Sequence, residues 1–294
     1  PADEMLGGRL SFLGYDVVSQ QAEPGRSLAY SLYLRSLQAF EGEVKVSLRL
    51  VDAGGRRWAQ ADRAIGLPRP LTLWRDGTTV REDVNIVIPL GTPPGEYAVE
   101  MVLYLAASGE TLRPDSGPEN LSLGRASVAR PAVYPHPTQL PLSHRIIGRA
   151  GPLALLGIRI ESVPTHQGDV LALWAYWRAE QKPTAQYLVR LLLQDDRGKT
   201  WVQQTYDVSA PAHGPLAWQQ GEVARGRYQL TVPRDLPAKV YTLRFALENV
   251  SSNQLLPLRT GGLSALLGKR DVDVVTVNIA DRSRSYTVPA ISHP

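Results

Sequence analysis

The sequence predicts an all-β protein: two tandem antiparallel β-sandwiches of immunoglobulin or fibronectin type, arising from an internal duplication. Three observations carry this. Anchor residues recur at a fixed offset of roughly 143 to 144 positions along the chain. The hydrophobic period inside each copy is two, the period of a strand with one face buried. Pro, Gly and Asp cluster at short intervals between these runs, and sustained helical periodicity is missing. At 294 residues the chain has room for about two domains, each large enough to bury a core without cross-links.

The duplication is read from paired segments. LSFLGYDV from Leu10 returns as LALLGIRI from Leu153, and SLAYSLYLRS from Ser27 returns as VLALWAYWRA from Val170. VSLRLVDAGGRRWAQ aligns with VRLLLQDDRGKTWVQ, matching Asp52 with Asp195, Gly55 with Gly198, Trp58 with Trp201 and Gln60 with Gln203. One inserted residue later, Trp74 matches Trp218, Gly77 matches Gly221, Pro89 matches Pro233 and Tyr97 matches Tyr241. The copies are expected at residues 1–131 and 151–294. Residues 132–150 carry Pro135, Pro137 and Pro141, which disfavour helix before them, and read as a semi-extended linker.

Within copy one, strands are predicted near 8–20, 27–36, 43–52, 56–63, 79–89, 96–106 and 121–130, with equivalents in copy two. In the second of these, Leu28, Tyr30, Leu32 and Leu34 share the inward face. In the third, Val44, Val46, Leu48 and Leu50 do so, and in the sixth Val99, Met101 and Leu103. EPGR, DAGG, RDGT and PPGE supply the dihedrals of the intervening turns, as DDRG and QQGE do in copy two. GGLSALLGKR around Leu263 is the one short segment that reads as helix.

Composition excludes several chemistries. There is no cysteine, so there is no disulfide, thiolate metal site or cysteine nucleophile. With 43% hydrophobic and 20% charged residues and no apolar run of about 18, disorder and a membrane-spanning helix are both excluded. The net charge of +4 is spread over scattered short groups such as Arg56 and Arg57, not gathered on one face, so nucleic acid is not an expected partner. The five histidines lack ligand spacing, so no metal or cofactor is expected. No Gly-x-Ser-x-Gly motif is present, and Ser143 beside His144 is adjacency in sequence alone. Asp195-Asp196 and the pair Asp271 and Asp273 could do acid–base work on sugars. Each has a plainer reading, as a turn residue accepting backbone N–H bonds or as an edge-strand charge.

Leu13-Gly14-Tyr15, Pro24-Gly25, Leu32-Tyr33-Leu34-Arg35, Asp52, Gly55, Trp58, Gln60, Trp74, Gly77, Pro89, Pro94-Gly95 and Tyr97 resemble a β-sandwich module. That module forms the soluble part of bacterial membrane glycosyltransferases of the mannosyltransferase-like type, and of envelope proteins. Gln167-Gly168 and Ala238-Lys239 depart from its Pro-Gly turns in copy two. The resemblance implies an extracytoplasmic, periplasmic or cell-surface location and a role without catalytic residues, so the chain is not expected to be an enzyme.

Aromatic residues are the remaining lead, since six Trp and twelve Tyr favour rings with a polar edge. The recurring Trp58, Trp201, Trp74 and Trp218 read as core plugs. Trp174, Tyr176 and Arg178 lie on the strand face opposite Leu173 and Trp177, where they would either form a solvent-facing platform for a glycan or a protein or pack against the linker or the other copy. The expected function is a binding or scaffolding module of the bacterial envelope. Two alternatives stand beside it: a structural subunit assembling a surface layer, filament or membrane complex, and an accessory domain of a membrane glycosyltransferase. Any membrane attachment would lie in a part of the polypeptide outside this sequence.

Overall fold

The computed structural model describes residues 3–38, 42–66, 74–115, 117–260 and 273–281. The chain divides into two compact units, Pro1–Val133 and Tyr134–Pro294. Both are built from antiparallel sheets, so the all-β expectation holds.

The first unit contains β1 (Glu4–Leu6), β2 (Leu10–Ser19), β3 (Gln21–Ala22), β4 (Ser27–Ser36), β5 (Val44–Val51), β6 (Arg57–Ala64), β7 (Thr79–Val87), β8 (Gly95–Leu105), β9 (Thr111–Leu112) and β10 (Leu121–Val128). One sheet has the order β1-β2-β4-β7. The other runs β3-β10-β8-β5-β6, with β9 paired to β8. All pairings are antiparallel except β3 with β10. The period of two in the sequence explains the core: Leu28, Leu32, Leu34, Val44, Val46, Leu48, Leu50 and Val99 are fully buried, and Tyr30, Met101 and Leu103 nearly so. Each such aliphatic side chain removed from water contributes roughly 1.5–3 kcal/mol before entropy is counted.

The second unit contains β11 (His144–Ala150), β12 (Leu153–Ser162), β13 (Val170–Ala179), β14 (Tyr187–Gln194), β15 (Thr200–Asp207), β16 (Val223–Thr231), β17 (Lys239–Asn249), β18 (Gln254–Pro257), β19 (Arg259–Thr260) and β20 (Asp273–Ile279). Its sheets run β16-β13-β12-β11-β19 and β15-β14-β17-β18, with β20 paired to β17. Leu171, Leu173, Ala175 and Trp177 of one sheet and Leu191, Leu193, Leu243 and Phe245 of the other meet in one buried cluster.

The structure departs from the sequence expectation at two places. Residues 144–150 are not linker but β11, which pairs His144 with Ile158 and Ala150 with Leu153. The prolines stop at Pro141, so nothing blocks the ladder beyond it. Trp58, Trp74 and Trp218 are core residues at 2%, 3% and 0% exposure, whereas Trp201 is only half-buried. The segment around Leu263, together with Asp271 and His293, lies outside the described residues.

The same turn device recurs in both units. Asp52 accepts hydrogen bonds from the N–H groups of Gly54 and Arg56, and its other oxygen accepts one from the Trp58 indole at 2.8 Å. Asp195 does the same with Arg197, Lys199 and the Trp201 indole, again at 2.8 Å. A short polar side chain that satisfies its own turn fixes the hairpin register and aims the indole. Tyr97 and Tyr241 each donate from the hydroxyl to a proline carbonyl four residues earlier, Pro93 and Pro237, at 2.7 Å.

Candidate functional site

The outer face of β13 was the expected platform, and the structure corrects that expectation. Trp174 is 5% exposed and Tyr176 is 0% exposed. Strand register places Trp174 between Arg159 of β12 and Arg227 of β16. The Trp174 indole donates to Glu161 at 2.7 Å, and the other Glu161 oxygen accepts from Arg227 at 2.9 Å. Burial pushes the Glu161 carboxyl up, but these two bonds together with the charges of Arg227 and Arg159 hold its pKa below the usual carboxylate value. The buried Arg225 guanidinium stacks 4.0 Å from the centre of the Trp174 ring. The Tyr176 hydroxyl is sealed in with no hydrogen-bond partner among the described residues. Arg178 is half-buried and turned onto Glu180, with Nη2 2.5 Å and Nε 2.7 Å from the same oxygen. None of the three is free for an incoming ligand.

Part of the cover comes from the chain leading into β11. A methyl group added at Gly157 would come within 2.8 Å of the Leu142 side chain and 2.5 Å of the His144 carbonyl oxygen, so the chain lies directly on that glycine. The matching glycine in the first unit is Gly14, where the same methyl would meet nothing within 4 Å. Both glycines have φ in the positive region, +155° and +146°, so alanine carries a similar backbone cost at either. Gly157→Ala is therefore expected to lower stability by roughly 1–3 kcal/mol more than Gly14→Ala, the added cost being overpacking. Paired urea melts of the two variants check this.

The equivalent face of the first unit is open and polar. Register sets Gly14, Tyr33 and Arg81 in one row across β2, β4 and β7, and Asp16, Ser31 and Asp83 in the next. The Tyr33 hydroxyl donates to Asp16 at 2.7 Å, and Ser31 donates to Asp83 at 2.6 Å. Arg81 Nε reaches the same Asp83 oxygen at 2.9 Å. The hydrogen bond to Asp16 raises the Tyr33 pKa, while Ser31 and then Arg81 lower that of Asp83. Asp16, Arg81 and Asp83 are exposed, and Tyr33 and Arg35 half-exposed.

Two other groupings stand apart. Gln20, Gln21, Glu96, Arg125 and Ser127 line an open polar hollow of about 380 Å³ in the first unit. In the second, His213 Nε2 sits 2.6 Å from Glu222, and both are buried. The other Glu222 oxygen accepts from the Gln219 N–H at 2.9 Å and from the Tyr134 hydroxyl at 3.2 Å. Sequence reasoning did not single out this pair. The signal available was a lone histidine amid apolar residues, nine positions before Glu222. Among the described residues no group of three or more metal-ligating side chains converges, and no helix is long and apolar enough to cross a membrane.

No family model matches the sequence, and no curated protein matches it. Among solved structures, the chain is similar to red sea bream transglutaminase at 8% identity and a TM-score of 0.25. The match covers 93% of this chain and 32% of that protein, so this chain spans about a third of its length. That neighbour is an enzyme, and the expectation that this chain is not one does not stand. At this TM-score the likeness assigns no activity.

Proposed function

We propose that the chain is a binding or scaffolding module of the bacterial cell envelope, located outside the cytoplasm, that makes its contacts through the outer face of the first unit's β1-β2-β4-β7 sheet. The observation that carries this reading is the divergence of two matching faces. The units keep the same Asp–Trp turns and tyrosine–proline bonds, the latter akin to the tyrosine corner of immunoglobulin sandwiches. These shared devices support one immunoglobulin-like module used twice. The face bearing Trp174 is closed over a buried stack, whereas its counterpart bearing Tyr33 keeps exposed hydrogen-bonding groups. A large open sheet face carrying both an aromatic ring and charged side chains is a surface for contact. The resemblance to the soluble modules of membrane glycosyltransferases supports the extracytoplasmic address.

Co-sedimentation tests the reading. The purified chain should pellet with isolated envelope fragments and stay in the supernatant with envelope-free cytosol. Equal distribution between the two would count against it. Arg81→Glu, which reverses one charge on the open face without touching the core, should reduce pelleting several-fold. Light scattering separates the structural-subunit version, which requires self-association that rises with concentration.

A further inference from the structure

We infer that the row Gly14–Tyr33–Arg81 on the first unit is a shelf for one neutral hexopyranose unit of a polysaccharide. This rests on the proposed envelope-binding role and names the ligand class. Gly14 has no side chain, and a methyl placed there would meet nothing within 4 Å, so the space over Gly14, directly across the ladder from half-exposed Tyr33, is open. At the matching place in the second unit, the Leu142 side chain of the same chain fills the space over Gly157. The shelf therefore has the form of a site that accepts an aliphatic surface, and in the first unit nothing among the described residues takes it.

The rim decides which ligand fits. A sugar ring presents C–H groups on one face and hydroxyls around its edge, so it needs an aromatic flank with donors and acceptors beside it. Tyr33 supplies the flank. The carboxylates of Asp16 and Asp83 accept from ligand hydroxyls, and Arg81 donates. The charges on this face are already paired internally: Arg81 holds Asp83 at 2.9 Å, and the Tyr33 hydroxyl holds Asp16 at 2.7 Å. A uronic acid would meet Asp16 and Asp83, and a cationic ligand would meet Arg81 and Arg35. A neutral sugar meets neither penalty.

The test is isothermal titration of the full chain with hexasaccharides of glucose, mannose and galactose, and with uronic acid hexasaccharides as the acidic arm. At least one neutral hexasaccharide should bind, and the uronic series should bind more weakly. Tyr33→Ala should weaken the neutral binding about tenfold, the worth of one aromatic contact, while Tyr33→Phe keeps the ring and should stay within about threefold of the parent. Unchanged thermal melts of the two variants establish that the loss is local. Failure of all neutral hexasaccharides, preference for the acidic series, or equal binding by Tyr33→Ala would each overturn the inference. If the chain pellets with envelope but binds no neutral sugar, the shelf is refuted and the module reading survives; if it does neither, both fall.

Discussion

Glu222→Ala is expected to destabilise the second unit by about 3 kcal/mol or more, because it strips three hydrogen-bonding groups of a shared buried acceptor at roughly 1–3 kcal/mol each. Glu222 is 2% exposed and His213 is 7% exposed. Losing the carboxylate leaves the His213 ring without its acceptor at 2.6 Å, and it also takes the acceptor from the Gln219 N–H and the Tyr134 hydroxyl. Trp218 shares the damage, because its indole donates to the His213 carbonyl. Glu222→Gln keeps one acceptor oxygen and should recover part of the loss. Urea unfolding followed by Trp fluorescence reports on this directly, since Trp218 is fully buried. A loss below about 1 kcal/mol, the scale of an exposed pair, would contradict the assignment.

The matched aspartates give the second large effect and a contrast internal to the molecule. Asp195→Asn should lower the melting temperature of the second unit by roughly 5 °C or more, while the first unit melts as before. Its side chain accepts from Arg197, Lys199 and the Trp201 indole, and from the Lys239 ammonium at 2.8 Å. Asp52 has the three equivalents of the first set, but position 95 is Gly where the second unit has Lys239. Lys239 first, then the indole, hold the Asp195 pKa far below that of a free carboxylate. A depressed folded pKa means the stabilisation is present above the unfolded value of about 4 and is lost as pH falls toward the folded one. The gap between the parent and Asp195→Asn should therefore be full at pH 7 and close on acidification below about pH 4. Lys239→Gly should reproduce part of the pH 7 loss, and a gap independent of pH would refute the ionic account.

Much of the fold was legible because strand periodicity and turn chemistry are local. Leu28, Tyr30, Leu32 and Leu34 alternate with polar neighbours, and the predicted 27–36 strand is β4 as observed. Asp52 and Asp195 were readable as turn acceptors from their place before a glycine. What escaped was non-local. β11 lies in a stretch whose prolines end before it begins, and its strand character comes from pairing with β12 and β19. Alternation puts Trp174 and Tyr176 correctly on the outer face of β13 but says nothing about what covers that face. A signal was present in composition: Val170 to Trp177 is apolar at every position, as in strands buried on both sides, whereas β4 carries Ser31 where β13 carries Trp174. The His213–Glu222 pair depends on a turn that brings the two together and leaves no periodic trace.

One outer face, bearing Tyr33, is open and its counterpart, bearing Trp174, is closed. Hydroxyl-radical footprinting of the chain, alone and bound to isolated envelope fragments, tests this most directly. Tyr33 should be labelled in the free chain and protected in the bound one, while Trp174 and Tyr176 stay unlabelled in both. Labelling of Trp174 that disappears on binding, with Tyr33 indifferent, would contradict the account and return the contact site to the second unit.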